Sequence, residues 1–298
     1  MHNKTLRILL TGSNGQVGRE LQKPLPRLGN MLALDRHKLD LTNPEAIRNT
    51  VRDYQPDLIV NAAAYTAVDR AESEPELAMA VNGTAPGVLA EEAQRLNALL
   101  VHYSTDYVFD GAKTDPYTES DEPNPLSIYG RTKLAGEQAI QAVGPAHYIL
   151  RTSWVYAAEG ANFLNTILRL ARERPELRIV NDQTGAPTWA QAIAEMTARL
   201  LATGMAGNAD PHYGLYHMTA AGAVTWFGFA QAILEETVKT SGSRMPRLLP
   251  ITTPEYPLPA PRPANSRLDT GLLTKTFGIE PAPWRDMLAR CMEEKRRG

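Results

Sequence analysis

Cysteine is nearly absent from this chain of 298 residues: Cys291 is the only one, so no internal disulfide can form. This cysteine content fits the cytoplasm better than an oxidising compartment. No apolar run approaches the roughly 18 residues of a membrane-spanning helix, and we expect no signal peptide. The net charge of −2 offers no basic field to nucleic acid or an anionic membrane. We therefore predict a cytoplasmic protein with no membrane or nucleic-acid partner.

What the sequence does contain is an alternation of strand and helix patterns. Its composition, 43% hydrophobic and 21% charged, is typical of a globular protein. Short apolar segments predict six strands, at Leu6–Thr11, Met31–Leu34, Asp57–Val60, Ala98–Tyr103, His147–Leu150 and Leu177–Val180. Helical patterns lie between them, at Pro75–Asn97, Leu126–Val143 and Phe163–Glu173. The alternation predicts an α/β fold, a Rossmann-type doubly wound parallel sheet with helices on both faces.

A glycine-rich turn follows the first predicted strand. Gly12, Gly15 and Gly18 recur at every third position, and leucines at helical spacing follow them. Glycines permit a tight turn and a close approach of the backbone to a pyrophosphate, which the first turn of the next helix can bind. Between a strand and a helix, this pattern predicts a dinucleotide site.

The second predicted strand ends at Asp35, 17 residues beyond Gly18. A carboxylate at about this offset can accept hydrogen bonds from an adenosine ribose, which favours NAD. Arg36 follows directly and can meet a 2′-phosphate, which favours NADP. Because the two signals conflict, we predict that both NADH and NADPH are usable.

Residues 181–298 have a different texture. Helical patterns cover Ala190–Leu201, Trp226–Val238 and Pro283–Glu294, and six prolines fall within the 14 residues of Pro250–Pro263. Such a segment cannot supply regular backbone ladders and is typical of a functional loop. Arg262 and Arg267 flank Asn265 nearby, a set able to clamp a phosphate. We predict a dinucleotide-binding domain over 1–180 and a smaller substrate domain over 181–298.

Tyr129 and Lys133 are four residues apart on a predicted helix and therefore share one face. A nearby cation favours the phenolate and lowers the pKa of a tyrosine, which suits the phenol to general acid catalysis on a carbonyl oxygen. Polar segments also follow three predicted strands, at 61–66, 104–109 and 151–156. In open α/β sheets ligands bind at these strand ends, and Thr105 is placed to bind a substrate carbonyl beside Tyr129.

Taken together, these motifs resemble the extended short-chain dehydrogenases/reductases and, more narrowly, the dTDP-4-dehydrorhamnose reductase family. The resemblance runs nearly the full length. The segments that carry it are 12–18, 61–72, 104–109, 129–137, 151–156, 181–188 and 262–268. It implies reduction of the C4 ketone of a dTDP-6-deoxy sugar, a step of carbohydrate biosynthesis, by NADPH or NADH. It also implies that the second domain interleaves with the first.

The resemblance implies a role for each matching residue. Tyr129 donates the proton, Lys133 binds the nicotinamide ribose and lowers the pKa of Tyr129, and Thr105 tunes the proton transfer. The other implied cofactor contacts are Gly12, Asn14, Gly15, Gln16, Val17, Gly18, Asp35, Arg36, Asp40, Leu41, Ala63, Ala64, Tyr65 and Thr66. The other implied contacts to the dTDP-sugar are Asp106, Tyr107, Trp154, Arg262 and Asn265.

Some members of the family dimerise through a Mg²⁺ ion held by surface glutamates. Glu20 and either Glu293 or Glu294 match two such positions, but Gln191 occupies a third. A neutral amide is a weaker Mg²⁺ ligand than a carboxylate. We therefore predict no metal site, and a monomer or a homodimer without a metal bridge.

Two other interpretations remain open. One is a non-catalytic nucleotide-binding regulatory subunit on the same scaffold, and the other is a related nucleotide-sugar epimerase or reductase. The presence of Thr105, Tyr129 and Lys133 together favours an enzyme over a regulatory subunit. An epimerase must also reoxidise its intermediate, so net consumption of NAD(P)H distinguishes it from a reductase.

Overall fold

The apolar segments of the sequence form strands, and the periodic segments form helices. The computed structural model describes residues 5–204, 211–241 and 246–297. The strands in this part are β1 (Leu6–Thr11), β2 (Gly29–Leu34), β3 (Leu58–Asn61), β4 (Leu99–Thr105), β5 (His147–Thr152), β6 (Val155–Tyr156), β7 (Glu176–Val180), β8 (Thr184–Gly185), β9 (Thr188–Trp189), β10 (Gly214–His217), β11 (Val224–Thr225) and β12 (Arg247–Ile251). The α-helices are α1 (Gln16–Leu21), α2 (Pro44–Tyr54), α3 (Val68–Ala71), α4 (Pro75–Met79), α5 (Ala85–Leu96), α6 (Ile128–Val143), α7 (Phe163–Glu173), α8 (Ala190–Gly204), α9 (Trp226–Ser241), α10 (Gly271–Phe277) and α11 (Trp284–Arg297).

Six strands make one parallel sheet in the order β10-β5-β4-β3-β1-β2. Alternate residues of β1 point to opposite faces: Ile8 and Leu10 pack in a cluster with residues of α1 and α8, and Leu9 packs with residues of α2 and α5. Apolar side chains are therefore buried on both faces, as the continuously apolar strands predict. The predicted fold class, a mostly parallel Rossmann-type sheet between helices, is confirmed.

The sixth strand of this sheet differs from the prediction. Leu177–Val180 does form a strand within β7, but β7 pairs with β12 in a separate two-stranded sheet. The edge strand next to β5 is β10, which is not among the six predicted strands. Strand β10 reads Gly-Leu-Tyr-His, so it lacks the continuous apolar run that marks the other strands of this sheet. The domain limits at residues 180 and 181 stay a prediction.

A π-helical segment interrupts the predicted helix Pro75–Asn97. Helix α4 ends at Met79, residues Ala80–Thr84 form a π-helix, and α5 begins at Ala85. Buried Asn82 lies in this segment, and a Cβ on Gly136 of α6 would lie 2.2 Å from its carbonyl oxygen. The absence of a side chain at Gly136 therefore lets α6 pack directly on the π-helical segment.

Helix α6, which carries the tyrosine–lysine pair, has clear ends. Ser127 caps its N-terminus by accepting a hydrogen bond from the Gly130 N–H at 3.2 Å. Gly144 ends it in the left-handed region at φ +73°.

None of the helices in the described ranges is long and apolar enough to cross a membrane.

Candidate functional site

The predicted site residues converge at the carboxyl ends of four neighbouring strands. Strands β1, β3, β4 and β5 lie side by side, so the segments that follow them line one edge of the sheet. The glycine turn follows β1, residues 62–66 follow β3, residues 106–109 follow β4 and residues 153–154 follow β5. This edge is where open α/β sheets bind ligands.

Contacts within the glycine turn require its small residues. Gly12 has φ +71°, and a Cβ there would lie 2.6 Å from the backbone of Ala63. A Cβ on Gly18 would lie 2.1 Å from the Gly12 carbonyl oxygen. Val17 and half-buried Gln16 open α1 directly after the turn. The turn therefore brings bare backbone to the sheet edge, as a dinucleotide pyrophosphate requires.

Asp35 closes this part of the site after β2. Its carboxylate accepts hydrogen bonds from the N–H groups of His37 and Lys38 and from the Asn14 amide, at 2.8–3.1 Å. Burial alone raises the pKa of Asp35, but the two backbone N–H groups outweigh it and hold the pKa below its ordinary value. An ionised carboxylate has about four acceptor positions, so one remains for a ribose hydroxyl.

Two other predicted adenosine contacts lie beyond Asp35. Asp40 accepts hydrogen bonds from the N–H and hydroxyl of Thr42, which hold the pKa of its exposed carboxylate below the ordinary value. Leu41 is buried in the core cluster beneath it. Arg36, in contrast, is exposed beside Asp35.

We predict that Arg36→Ala selectively impairs NADPH use. Loss of a hydrogen bond to a charged group costs about 1.5–3 kcal/mol, so kcat/KM for NADPH should fall by about tenfold or more. The value for NADH should change by less than about twofold, because Asp35 remains. Steady-state kinetics with both cofactors measures this, with the exposed Arg27→Ala as control. Equal losses with both cofactors would contradict a role for Arg36 at a 2′-phosphate.

Backbone contacts hold the segment after β3 in place. The N–H of Ala63 donates to the Asn61 side-chain oxygen at 3.3 Å. Asn82 binds both the N–H and the carbonyl of Tyr65, at 2.8 and 3.0 Å. The Tyr65 hydroxyl donates to Glu74 at 2.5 Å, and Ala64 and Thr66 leave the groove wall small. The π-helical segment thus positions this predicted wall of the cofactor groove.

Tyr129 and Lys133 lie on one face of α6, as the spacing predicts. Lys133 is 1% exposed, and burial lowers the pKa of its amine to about 8. Burial of the Tyr129 hydroxyl raises the pKa of Tyr129 to about 12, although a hydrogen bond with Thr105 acts in the opposite direction. The expected lowering of the Tyr129 pKa by Lys133 is therefore wrong. The reason is that Lys133 donates to the Tyr103 carbonyl at 2.6 Å and contacts His102, away from the phenol.

Thr105 links Tyr129 to Asp106. The Thr105 hydroxyl donates to an Asp106 carboxylate oxygen at 3.0 Å and accepts from the Tyr107 N–H at 3.2 Å, and it also forms a hydrogen bond with Tyr129. Burial raises the pKa of Asp106 to about 7, against hydrogen bonds from Ser266 and Thr105. The Tyr107 ring meets the Tyr129 ring edge-on at 5.6 Å between centroids. Three residues at the end of β4 therefore surround the phenol.

Trp154, a predicted substrate contact, has an unusual backbone. Its φ is +46°, a conformation rare outside glycine. Its indole stacks on Trp226, with 3.5 Å between centroids and 4° between planes, and Gly185 packs against its edge. Trp226, which is not among the predicted site residues, thus fixes the orientation of Trp154.

The predicted phosphate residues already have protein partners. Arg262 makes a two-pronged ion pair with Asp69, at 3.0 and 2.8 Å, so binding a phosphate requires Asp69 to share or release it. Asn265 donates to the carbonyls of Lys113 and Asp115 and accepts from Arg267. Because both donors and the acceptor of Asn265 are in use, this geometry disfavours substrate contact by Asn265.

The positions considered for Mg²⁺ are occupied by ion pairs and hydrogen bonds. Lys23 bridges Glu20 and Glu294 at 2.6 and 3.0 Å, and Gln191 donates to Glu195 at 2.8 Å. Within residues 5–204, 211–241 and 246–297, no three histidine, cysteine or acidic side chains are grouped to hold a metal ion. The absence of a Mg²⁺ site stays a prediction.

Two buried polar groups near the site were not assigned a role from the sequence. His102 of β4 contacts Lys133 at 3.1 Å, and Glu137 of α6 pairs with Arg151 of β5. A histidine inside the apolar run of β4 was the available signal for the first. No spacing rule relates Glu137 to Arg151, because they lie on different elements, α6 and β5, which only the complete fold brings together.

The fold and the site together define an extended short-chain dehydrogenase/reductase. The fold is a Rossmann-type parallel sheet with a glycine turn after its first strand. The site brings Thr105, Tyr129 and Lys133 to the carboxyl edge of that sheet. Within that class the chain belongs to the RmlD substrate binding domain family, whose model matches residues 6–297.

The comparisons agree along nearly the whole chain. A dTDP-4-dehydrorhamnose reductase of Burkholderia thailandensis is 50% identical over 294 residues, which cover 97% of this chain and 99% of the relative. The crystal structure of a dTDP-4-dehydrorhamnose reductase from Clostridium acetobutylicum is 37% identical, with a TM-score of 0.91 over 98% of this chain and 100% of that one. The reductase of Bacillus anthracis in complex with NADP is 35% identical, with a TM-score of 0.89 over 97% and 99%.

Proposed function

We propose that this protein reduces the C4 ketone of dTDP-4-dehydro-6-deoxy-L-mannose (dTDP-4-dehydrorhamnose) to dTDP-L-rhamnose, with hydride from NADPH or NADH. The observation that carries the proposal is the cluster of Thr105, Tyr129 and Lys133 at the strand ends, in a chain 50% identical to a reductase of that name. Relatives that match 97% of this chain also support a sugar nucleotide as substrate.

The cofactor supplies the hydride for C4, and this chain supplies the proton for O4. Tyr129 is suited to donate it, because a pKa of about 12 keeps the phenol protonated throughout the neutral range. The phenolate left behind is costly in a buried environment. Lys133 lies one turn along α6, and its protonated form, which a pKa of about 8 leaves accessible near neutral pH, can stabilise that phenolate when the lysine binds the nicotinamide ribose.

The Thr105 hydroxyl has one proton, and both the Asp106 carboxylate and the keto oxygen of the substrate can accept it. The hydroxyl donates to Asp106, accepts from the Tyr107 N–H and is hydrogen-bonded to Tyr129. For Thr105 to donate to the keto oxygen, its hydrogen bond to Asp106 must break. The Tyr129 hydroxyl can then donate its hydrogen bond to the same keto oxygen. The raised pKa of Asp106 eases this exchange, since a protonated carboxyl no longer demands the threonine proton.

The remaining roles follow the walls of the cleft. Trp154 provides a rigid aromatic face for the sugar. Asp106 and Tyr107 lie near enough to Tyr129 to contact the hydroxyl groups of the sugar. Arg262 is the candidate for the diphosphate, in exchange with Asp69. Asp35 and Arg36 hold the adenosine end, consistent with use of either dinucleotide.

We also propose that the protein works in the cytoplasm as a monomer or as a homodimer without a metal bridge. The supporting features are its use of a reducing nicotinamide cofactor and its buried free thiol, Cys291. Sedimentation velocity with and without EDTA checks the second part. A dimer that EDTA dissociates would contradict it.

The direct test supplies dTDP-4-dehydrorhamnose and follows nicotinamide absorbance with NADPH and with NADH. We expect one NAD(P)H oxidised per ketone reduced, and no oxidation with dTDP-glucose, which has no ketone. Conversion of the sugar without net oxidation would indicate an epimerase. Nucleotide binding without turnover, where a known reductase is active, would indicate a regulatory subunit.

A further inference from the structure

A chain of buried polar side chains runs beneath the site, across three neighbouring strands to α6. The Thr11 hydroxyl of β1 donates to the Asn61 oxygen at 2.6 Å, and the Asn61 nitrogen meets His102 Nδ1 at 3.0 Å. His102 Nε2 lies 3.1 Å from Lys133 Nζ. All four residues are 1% exposed. Only Lys133 has a role in the reaction proposed above.

The orientation of the Asn61 amide is fixed by the backbone. The N–H of Ala63 is a donor only, and it lies 3.3 Å from the Asn61 oxygen. Turning the amide over would place its NH₂ group against that N–H. The oxygen of Asn61 therefore faces Thr11 and Ala63, and its NH₂ group faces His102.

This orientation selects one tautomer of His102. Because the Asn61 NH₂ group donates to Nδ1, that nitrogen must carry the lone pair, and the proton of the neutral ring resides on Nε2. The Nε2–H group then points at Lys133 Nζ. An ammonium group has no lone pair to accept it, whereas a neutral amine has one. Lys133 meanwhile donates to the Tyr103 carbonyl at 2.6 Å.

We propose that His102 is a positioning residue for Lys133 in the reaction proposed above: Asn61 holds it as the Nε2–H tautomer, and its N–H fixes the lysine side chain and favours the neutral amine. The inference therefore rests on the proposed function for its catalytic meaning. Its structural part, the tautomer, is independent of it.

The other charged groups around Lys133 act differently. Glu137, one turn along α6, raises the pKa of Lys133, but its carboxylate is bound by the Arg151 guanidinium of β5. Burial of His102 and the charge of Lys133 hold the pKa of His102 well below its ordinary value, so the ring stays neutral. With the pKa of Lys133 near 8, the charge of this lysine changes close to neutral pH.

The test is the Asn61→Asp variant, because aspartate has the same shape as asparagine. The introduced carboxylate still accepts from Thr11 and Ala63, but it also requires a proton on His102 Nδ1. Nε2 then becomes an acceptor and favours the ammonium of Lys133. In the wild-type protein, the pH profile of kcat/KM should have a limb near pH 8, where Lys133 changes charge. In Asn61→Asp we expect the pH of this limb to move upward by about one unit or more. That shift corresponds to a stabilisation of the charged form of Lys133 by about 1.4 kcal/mol. An unmoved limb in a folded variant would overturn the proposal.

A second background separates relay through the imidazole from charge acting through space. In His102→Gln, the Asn61→Asp change should move the limb by less than half as much, because the imidazole link is gone. Equal shifts in both backgrounds would contradict the proposed relay. Thermal unfolding of each variant identifies those that remain folded.

The tautomer can be observed without any substrate. In ¹⁵N-labelled wild-type protein, long-range ¹H–¹⁵N spectra should show the His102 proton on Nε2, and in Asn61→Asp on Nδ1. His217 is an internal reference, since its Nδ1 lies 3.1 Å from the Asp269 carbonyl and must carry the proton there. A wild-type His102 proton on Nδ1 would overturn the inference even if the reductase assay succeeds. Failure of that assay with the Nε2 tautomer present would reject only the proposed function.

Discussion

Replacing Tyr129 by phenylalanine should lower kcat by about 10²–10⁴-fold, the usual contribution of a general acid. The substitution removes only the hydroxyl and keeps the ring that packs edge-on against Tyr107. Affinity for NADPH should therefore change by less than about twofold, because the pyrophosphate and ribose contacts lie elsewhere. Stopped-flow turnover and fluorescence titration of NADPH measure the two quantities separately.

Tyr107→Phe is the matched control for this prediction. It also removes one half-buried phenol beside the same site, and desolvation raises the pKa of Tyr107 as well. Because Tyr107 has no assigned proton transfer, its loss should reduce kcat by less than about tenfold, the scale of one ordinary hydrogen bond. If Tyr129→Phe instead weakened cofactor binding as much as it slowed turnover, Tyr129 would be a binding residue rather than the proton donor.

Glu137→Ala should cost about 3–5 kcal/mol of unfolding free energy, as is typical when one partner of a buried ion pair is removed. Glu137 is 1% exposed and Arg151 is 3% exposed, and two hydrogen bonds of 2.9 and 2.6 Å join them. Without the carboxylate, the Arg151 guanidinium is left buried against the Phe109 ring and loses its hydrogen-bonded ion-pair partner. Urea unfolding followed by circular dichroism measures the change.

Two comparisons make this prediction specific. Glu173→Ala breaks the exposed ion pair with Arg169 on α7 and should cost less than about 1 kcal/mol. Replacing Glu137 and Arg151 together by methionine should cost less than Glu137→Ala alone, since no buried charge remains. A loss for Glu137→Ala as small as that of the surface variant would show that water solvates Arg151 in solution.

Local sequence patterns were sufficient for the central sheet. Apolar runs of four to seven residues, such as β3 and β4, are buried on both faces and can be recognised without tertiary information. Gly12 and Gly18 were recognisable because close backbone approach tolerates no side chain. Tyr129 and Lys133 were found because helical periodicity alone places them on one face.

Properties that depend on long-range contacts could not be predicted in this way. The direction of the Tyr129 pKa shift depends on burial and on where Lys133 Nζ points, and neither is encoded in a spacing of four. The partnership of Arg262 with Asp69 and the entry of β10 into the main sheet have the same origin. Each joins segments far apart in the chain, whose meeting only the complete fold determines.

The ion pair between Asp69 and Arg262 has a further consequence for how the protein is assembled. Its partners are 193 positions apart, so their encounter requires the closure of a very long loop. Contacts of such sequence separation are slow to form, because the entropy of closure is lost before the contact stabilises anything. During synthesis, β1 and the glycine turn that follows it leave the ribosome well before the segment that contains Arg262. We therefore expect the growing chain to form the dinucleotide-binding side of the site early. The side that Arg262 forms should be completed only near the end of translation.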